Sequence, residues 1–334
     1  MKNPLVSVLL PYRNADNTLN RCLNSLKNQL LHNELILVEN QTEESPVVIE
    51  FILQNPQLNI LKIKELRPGI VHALNTGLEH CRGLFIARMD ADDEMLDNRL
   101  TLQSNYLIQN PEIDLVSGIV EYTGDQQKNF GFFLYVQQIN SIKSIEEISA
   151  LRFIESPFAH PSVMFRKSAI DQPNLYKHGD FPEDYDLWLR WLQMGRKMAK
   201  IDSPVLRWHD SNGRLSRVDQ RCSIEGFRQL KTEYLIRWIN DNISKEKKII
   251  IAGAGKLAKP TINQLIENQI PISAITDLKE RNFQNIPFIP WKELPDPLEY
   301  FIISLVSNRG SWQIIRKDLE NRGYEMMRDF ILCA

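Results

Sequence analysis

The chain has 334 residues with 40 Lys and Arg against 42 Asp and Glu, a formal charge of -2, and 25% charged residues. Its length suggests two domains, each with its own core. The balanced charge argues against a protein that grips phosphate backbones, so nucleic acid is not an expected partner. Cys22, Cys81, Cys222 and Cys333 lie far apart with no C-x-x-C pair, a pattern of reduced thiols in a cytoplasmic protein rather than a disulfide framework or zinc site.

The first apolar run, LVSVLL at 5 to 10, stops at Pro11 without a small-residue cleavage site and reads as a strand, not a signal peptide. Leu19, Leu23, Leu26 and Leu30 follow at helical spacing, and ELILV at 34 to 38 forms a second strand. The pattern repeats: helix from Val47 to Leu53, strand from Ile60 to Ile63, helix from Val71 to Cys81, strand from Leu84 to Met89. Such alternation predicts an α/β fold, a mostly parallel sheet flanked by helices, with ligands collecting beyond the carboxyl ends of the strands. A helix is expected over 98–109 and a strand from Leu115 to Tyr122, whereas 124–144 mixes Gly, Gln, Asn and aromatics and reads as an irregular insertion or loop. Helices are expected over 183–194 and 219–240. Nowhere do about 18 apolar residues run together, so no membrane span is expected.

The stretch GLFIARMDADDEML delivers Asp90, Asp92 and Asp93 to the end of a buried strand. Crowded carboxylates repel, and one would be driven to take up a proton. Mg2+ or Mn2+ relieves this, because such ions take hard oxygen ligands and bridge carboxylates to substrate phosphates. Read bare, the D-x-D equally describes a solvated acidic turn capping a helix that begins near Asp97. In FPEDYDLWLRW, Glu183 and Asp184 open a helix; they either complement its dipole or act as acid and base.

Taken together, VSVLLPYRNADNTLNRCLNSL, ELILVEN, RPGIVHALNTGLEHCRGLFIARMDADD, FPEDYDLWLRW and LRWHDSNGRLSR resemble the inverting family 2 glycosyltransferases of the GT-A fold, over about residues 4 to 218. The resemblance implies that Asp92 holds a metal, Mn2+ or Mg2+, bridging the diphosphate of a nucleotide-sugar, with Asp90 at the ribose or the ion's water shell. It implies that Glu39 accepts from a uracil ring, although the family's usual Asp-Asp-Gly-Ser is here Glu39-Asn40-Gln41-Thr42. Pro11 and Asn14 match the turn against the nucleotide; Arg67, Asn75 and Gly77 match the segment near uridine and diphosphate. Asp184 takes the part of the base, Glu183 contacts the acceptor, and Asp186 is a weaker candidate. His209 is a third metal or diphosphate contact or else a hydrogen-bonded structural residue, and Arg214, Ser216 and Arg217 lie in a loop able to close over phosphates. His160 is expected to shape the acceptor pocket or to pack. The implied activity is transfer from a nucleotide-sugar, UDP-linked by the family pattern, to a glycan or lipid-linked glycan in surface polysaccharide biosynthesis. A lipid-borne acceptor would be met at the inner face of the membrane; peripheral membrane contact and oligomer formation stay open.

After NDNISKEKK the composition changes, and a boundary is placed near 245, giving a transferase domain at 1–244 and a small Rossmann-like α/β domain at 245–334. There Gly253, Gly255 and Ala258 fit G-x-G-x-x-A after a strand, with Asp277 ending the next strand and Pro260 early in the helix. Two alternatives follow: an NAD(P)-dependent oxidoreductase or epimerase-like enzyme working through that loop, or a non-catalytic nucleotide-binding scaffold.

Overall fold

The structure, a computed structural model, describes residues 4–170, 172–210 and 214–333. In chain order the elements are β1 (Val6–Tyr12), α1 (Asp16–Leu26), β2 (Glu34–Asn40), α2 (Pro46–Gln54), β3 (Asn59–Glu65), α3 (Ile70–His80), β4 (Phe85–Arg88), β5 (Glu94–Met95), α4 (Arg99–Gln109), β6 (Ile113–Thr123), α5 (Phe130–Ser141), α6 (Ile145–Ala150), β7 (Met164–Arg166), α7 (Glu183–Gln193), β8 (Lys197–His209), α8 (Leu215–Val218), α9 (Ile224–Asn242), β9 (Lys248–Ala252), α10 (Lys259–Glu267), β10 (Ile272–Asp277), β11 (Phe288–Pro290), β12 (Tyr300–Ser304), α11 (Ser311–Asn321) and β13 (Phe330–Leu332). They divide into two compact units, one of residues 1–145, 157–179 and 183–219, the other of 146–156, 180–182 and 220–334.

The first unit carries an eight-stranded sheet in the order β3-β2-β1-β4-β7-β6-β8-β5. Strands β1 to β4 pair in parallel, as do β6 and β8, while β7 and β5 run antiparallel to their neighbours. Every residue of β1 and β2 is buried, as expected of strands covered on both faces. Helix α1 turns Leu19, Cys22, Leu23 and Leu26 inward. Helix α3 approaches the sheet at Gly77, where a Cβ would lie 2.2 Å from Leu9 Cδ1 and 2.8 Å from Val38 Cγ2. Gly77 therefore serves contact between helix and strands. The helices expected over 98–109 and 183–194 form as α4 and α7, the first starting one residue later and the second ending one residue earlier.

The 124–144 stretch is a correction, since α5 occupies most of it. Its buried residues, Val136 and Ile139, are three apart and supply too narrow a stripe to stand out from the surrounding aromatics. Asn140 fastens the helix to β6, accepting from the Val120 amide at 3.0 Å and donating to its carbonyl at 2.8 Å.

The second unit has a wholly parallel five-stranded sheet in the order β11-β10-β9-β12-β13, which reverses direction at β9 in the manner of doubly wound sheets. Helix α9 begins five residues later than its periodicity suggested, at Ile224, because the Ser223 side chain caps it by accepting from the Gly226 amide at 3.1 Å. It packs on α10, where the Thr232 and Thr261 hydroxyls meet at 3.1 Å. The compositional break near 245 falls in the loop between α9 and β9, whereas the compact unit takes in α9 as well.

Candidate active site

Because β1 to β4 run parallel, their carboxyl ends share one sheet edge. There Glu39 is 2% exposed; it accepts from the Tyr12 hydroxyl at 3.1 Å and faces Lys64 at 3.5 Å and Lys62 at 3.8 Å. Burial, and then Glu39, push the Tyr12 hydroxyl well up, so it remains a donor. Pro11 is buried within β1, and Asn14 stands exposed just beyond it with φ 49°. Asn14 is clasped to the next turn: its Oδ1 accepts from the Thr42 hydroxyl at 2.6 Å.

Asn40, at the position where the family pattern has its second aspartate, pins the following turn. Its amide donates to the Arg67 carbonyl at 2.7 Å and its oxygen accepts from the Gly69 amide at 3.0 Å. Gly69 has φ 111°, a conformation side chains rarely adopt. Arg67 forks onto Glu65 at 3.0 and 2.7 Å, and this contact above all holds the Glu65 carboxyl down at about 2. Asn75 points elsewhere: its side chain exchanges two hydrogen bonds with the Tyr176 backbone, at 2.8 and 3.0 Å.

Past β4, carboxylate oxygens of Asp90, Asp92 and Asp93 lie within 4.8 Å of one another. The Asp90 and Asp92 side chains are 26% and 28% exposed, while Asp93 is sealed at 0%. Arg214, itself buried, lies 2.9 Å from Asp93, 3.6 Å from Asp92 and 3.8 Å from Asp90, and its guanidinium stacks 4.4 Å over the Trp208 ring. Burial pulls the Arg214 guanidinium down, but Asp93 and then Asp92 pull it up by more, so it stays charged. Burial likewise pushes Asp92 upward and Asp93 to about 7, against the pull of Arg214. Three hard oxygen donors within one small volume, two of them open to solvent, are the donor set a divalent cation takes, and the guanidinium already among them shows that the volume accepts positive charge. The residues fit the ion.

Glu183 and Asp184 begin α7, where the helix dipole favours carboxylates. Burial, and then Glu183, raise the Asp184 carboxyl to about 7, the range of a base that works near neutrality. Asp186 is buried in an ion pair with Arg190 at 3.1 Å and so serves the helix. His160 shares a hydrogen bond of 2.9 Å with the Tyr176 hydroxyl and meets Trp188 edge-on at 5.9 Å. Burial lowers His160 well below the usual imidazole range and keeps it neutral.

The sequence matches the family model Glycosyl transferase family 2 over residues 7–172. A UDP-Gal:alpha-D-GlcNAc-diphosphoundecaprenol beta-1,3-galactosyltransferase of Escherichia coli is 30% identical over 196 residues, which cover 58% of this chain and 69% of the relative. The chain belongs to glycosyl transferase family 2. The Amylovoran biosynthesis glycosyltransferase AmsE of Erwinia amylovora is similar too, 29% identical over 208 residues, covering 61% of this chain and 75% of that one. Among solved structures, Staphylococcus aureus TarS 1-349 in complex with UDP-GlcNAc aligns with TM-score 0.54 at 14% identity, over 72% of this chain and 68% of that one. At that identity the likeness establishes the GT-A fold alone.

Other residues of this glycosyltransferase have structural partners. The His209 imidazole reaches Glu94 at 2.5 Å, and its backbone amide donates to Asp93 at 2.9 Å, so it flanks the aspartates without joining the cluster. Burial lowers its proton affinity. Arg217 forks onto Asp210 at 2.8 and 2.6 Å and stacks over Phe132; the Ser216 side chain lies outside the described residues. In the second unit Asp277 accepts from the Ala254 amide at 3.3 Å and pairs with Arg281 at 3.3 Å, so the acid at the end of the strand braces the glycine loop.

Sequence reasoning overlooked Arg88 and Glu94, each adjoining the aspartate run, and Tyr12. The signal for Tyr12 and Arg88 was a polar or charged residue closing an apolar strand; Glu94, first residue of β5, carried none beyond its place after the aspartates.

Proposed function

We propose that this glycosyltransferase moves a sugar from a nucleotide-sugar, with UDP as the carrier, to a hydroxyl of a glycan, with inversion at the anomeric carbon, in the building of a bacterial surface polysaccharide. The observation that carries the reading is the cluster of Asp90, Asp92 and Asp93 beyond β4, two of them open to solvent, in the unit where Glu183 and Asp184 also open α7. Asp92, with Asp90 beside it, would hold Mn2+ or Mg2+. Bound there, the ion supplies Lewis-acid neutralisation of the departing diphosphate.

The chain's own residues do the rest. Glu39, kept in place by the Tyr12 hydroxyl, presents a carboxylate to the N–H of a pyrimidine. Pro11, Asn14 and the turn fixed by Asn40 line the nucleotide side, and Arg67 stays charged beside Glu65. Asn75 orders the segment at Tyr176. Asp184 takes the proton from the acceptor hydroxyl as its oxygen attacks opposite the leaving group, and Glu183 adjoins the acceptor. Arg214 neutralises the back of the aspartate cluster and, if it turns outward, offers a fork to phosphate oxygens. His209 abuts the cluster through Glu94.

The Escherichia coli relative acts on a diphosphoundecaprenol-linked acceptor by its name. A lipid-linked acceptor is inferred here by that likeness, met at the cytoplasmic face of the membrane. No helix among the described residues is long and apolar enough to cross a membrane. Residues 245–334 are proposed as a Rossmann-like accessory domain.

The test is a panel of nucleotide-sugars scored for thermal stabilisation with and without Mn2+, followed by transfer assays with lipid-linked glycans. Stabilisation by UDP-sugars that requires Mn2+ and vanishes in Asp92→Asn supports the reading. Stabilisation by NAD(P) alone would turn it toward an oxidoreductase, and nucleotide binding without sugar transfer toward a scaffold.

A further inference from the structure

Arg214 lies beyond β8 and reaches back to the aspartates that follow β4. Its guanidinium donates to the two Asp93 oxygens at 2.9 and 3.3 Å and to the His209 carbonyl at 2.7 Å. The same group lies 3.6 Å from Asp92 and 3.8 Å from Asp90, too far for hydrogen bonds, with the Trp208 ring 4.4 Å away as its backing. Two grades of contact result. Asp93, sealed from solvent, takes the fork, whereas the two open carboxylates feel the guanidinium only as a charge. Those two are the carboxylates assigned above to a divalent ion. Three carboxylates here face two cations, Arg214 and Arg88, the latter donating to Asp90 at 2.7 Å, so one negative charge is in excess. A doubly charged ion entering alone therefore meets little net attraction and a like charge held beside its own ligands.

We propose that Arg214 is a positioning residue that couples metal binding to nucleotide binding: it competes with the divalent ion for Asp90 and Asp92 and yields when a diphosphate comes to take its fork. This deepens the proposed function and rests on Asp90 and Asp92 being the ligands of the ion. A nucleoside diphosphate supplies both of the things that the cluster lacks, further negative charge and oxygens spaced for a planar guanidinium. Ion and diphosphate then favour each other's binding, by the same factor in either order. A cation needed only to neutralise Asp93 would leave the ion's affinity unchanged or, if its loss disturbed the cluster, weaken it. Competition predicts the opposite sign.

The test uses apo protein and reads binding, not transfer. Mn2+ is titrated by calorimetry into wild type, Arg214→Met and Arg214→Lys, and the thermal stabilisation by Mn2+, by UDP and by both together is measured for each. Wild type should bind Mn2+ alone weakly, and the two ligands together should stabilise it by more than their separate effects. Arg214→Met should bind Mn2+ alone about tenfold more tightly, and the excess from adding both should shrink. Arg214→Lys keeps the charge without the fork, so its affinity for Mn2+ alone should stay within about twofold of wild type while the excess shrinks. A folded Arg214→Met protein with unchanged or weaker Mn2+ affinity overturns the inference. Should Arg214→Met fail to fold, Arg214→Lys decides, and an excess equal to that of wild type overturns it. Asp92→Asn is added to the Arg214→Met protein, or to wild type if that variant does not fold. Mn2+ binding that survives this change would remove the metal reading itself, a failure distinct from that of Arg214.

Discussion

Asp92 and Asp93 are sequence neighbours, yet their surroundings predict opposite consequences of losing charge. Asp93 is fully buried; it accepts from Arg214 at 2.9 and 3.3 Å and from the His209 amide at 2.9 Å. In Asp93→Asn one amide oxygen can still accept from His209, but the guanidinium loses its fork and meets an N–H2 group. Breaking a buried pair from one side costs about 3–5 kcal/mol, and because Asp92 and Asp90 remain 3.6 and 3.8 Å from Arg214, the low end, about 3 kcal/mol, is expected. At roughly 2–4 °C per kcal/mol for a unit of this size, the melting transition should fall by about 6–12 °C. Asp92→Asn removes a 28% exposed carboxylate whose charge contact is the longer 3.6 Å one, so less than about 1 kcal/mol is expected while transfer is lost. Differential scanning calorimetry with a transfer assay at saturating Mn2+ separates the two. Equal destabilisation, or an Asp93→Asn protein that melts like wild type, would refute the division of labour.

Other perturbations test neighbouring claims. Asp184→Asn should leave the melting temperature within a few degrees of wild type and reduce kcat at least about 100-fold, measured by product formation under single-turnover conditions. Because the Asp184 carboxyl sits at about 7 and the base must be ionised, kcat should fall as pH drops through about 7, with the raised value meaning that protonation sets in earlier than for an ordinary aspartate; a flat profile from pH 6 to 8 would contradict the assignment. Gly77→Ala forces a methyl to 2.2 Å from Leu9 and should cost about 1–3 kcal/mol in urea unfolding. Removing divalent cations with a chelator should abolish donor-induced thermal stabilisation, and added Mn2+ should restore it.

The alternation of strand and helix up to Met89 was legible because strands buried on both faces carry unbroken apolar runs, and helices between them carry a stripe. That much also placed Glu39, Asp90 and Asp92 at or just beyond strand ends, where parallel sheets collect ligands, while Asp184 came from the separate helical stretch at 183–194. What stayed hidden is long-range pairing. Nothing in the local sequence says that Asn75 spends its amide on Tyr176, 101 residues away, or that Arg214 reaches Asp93 across 121 residues. Helix α5 was hidden for another reason: its aromatic residues cluster around Trp208, with Phe132 at 5.7 Å and Tyr135 at 6.4 Å, and a helix that packs through large rings needs little regular apolar spacing.

The cluster after β4 also had a plain reading, an acidic turn capping the next helix, and the geometry discriminates. A capping acid lies at the helix start, with its oxygen on an early backbone amide. Here Asn98, not Asp97, precedes α4, in a left-handed conformation and with no side-chain capping bond. The three aspartates lie earlier, two a quarter exposed and the third sealed, and are backed by Arg88 and Arg214. A solvated turn has no need to bury arginines behind its carboxylates. Burying them makes sense where like charges are kept crowded on one side and open on the other, which is the arrangement the proposed divalent ion requires.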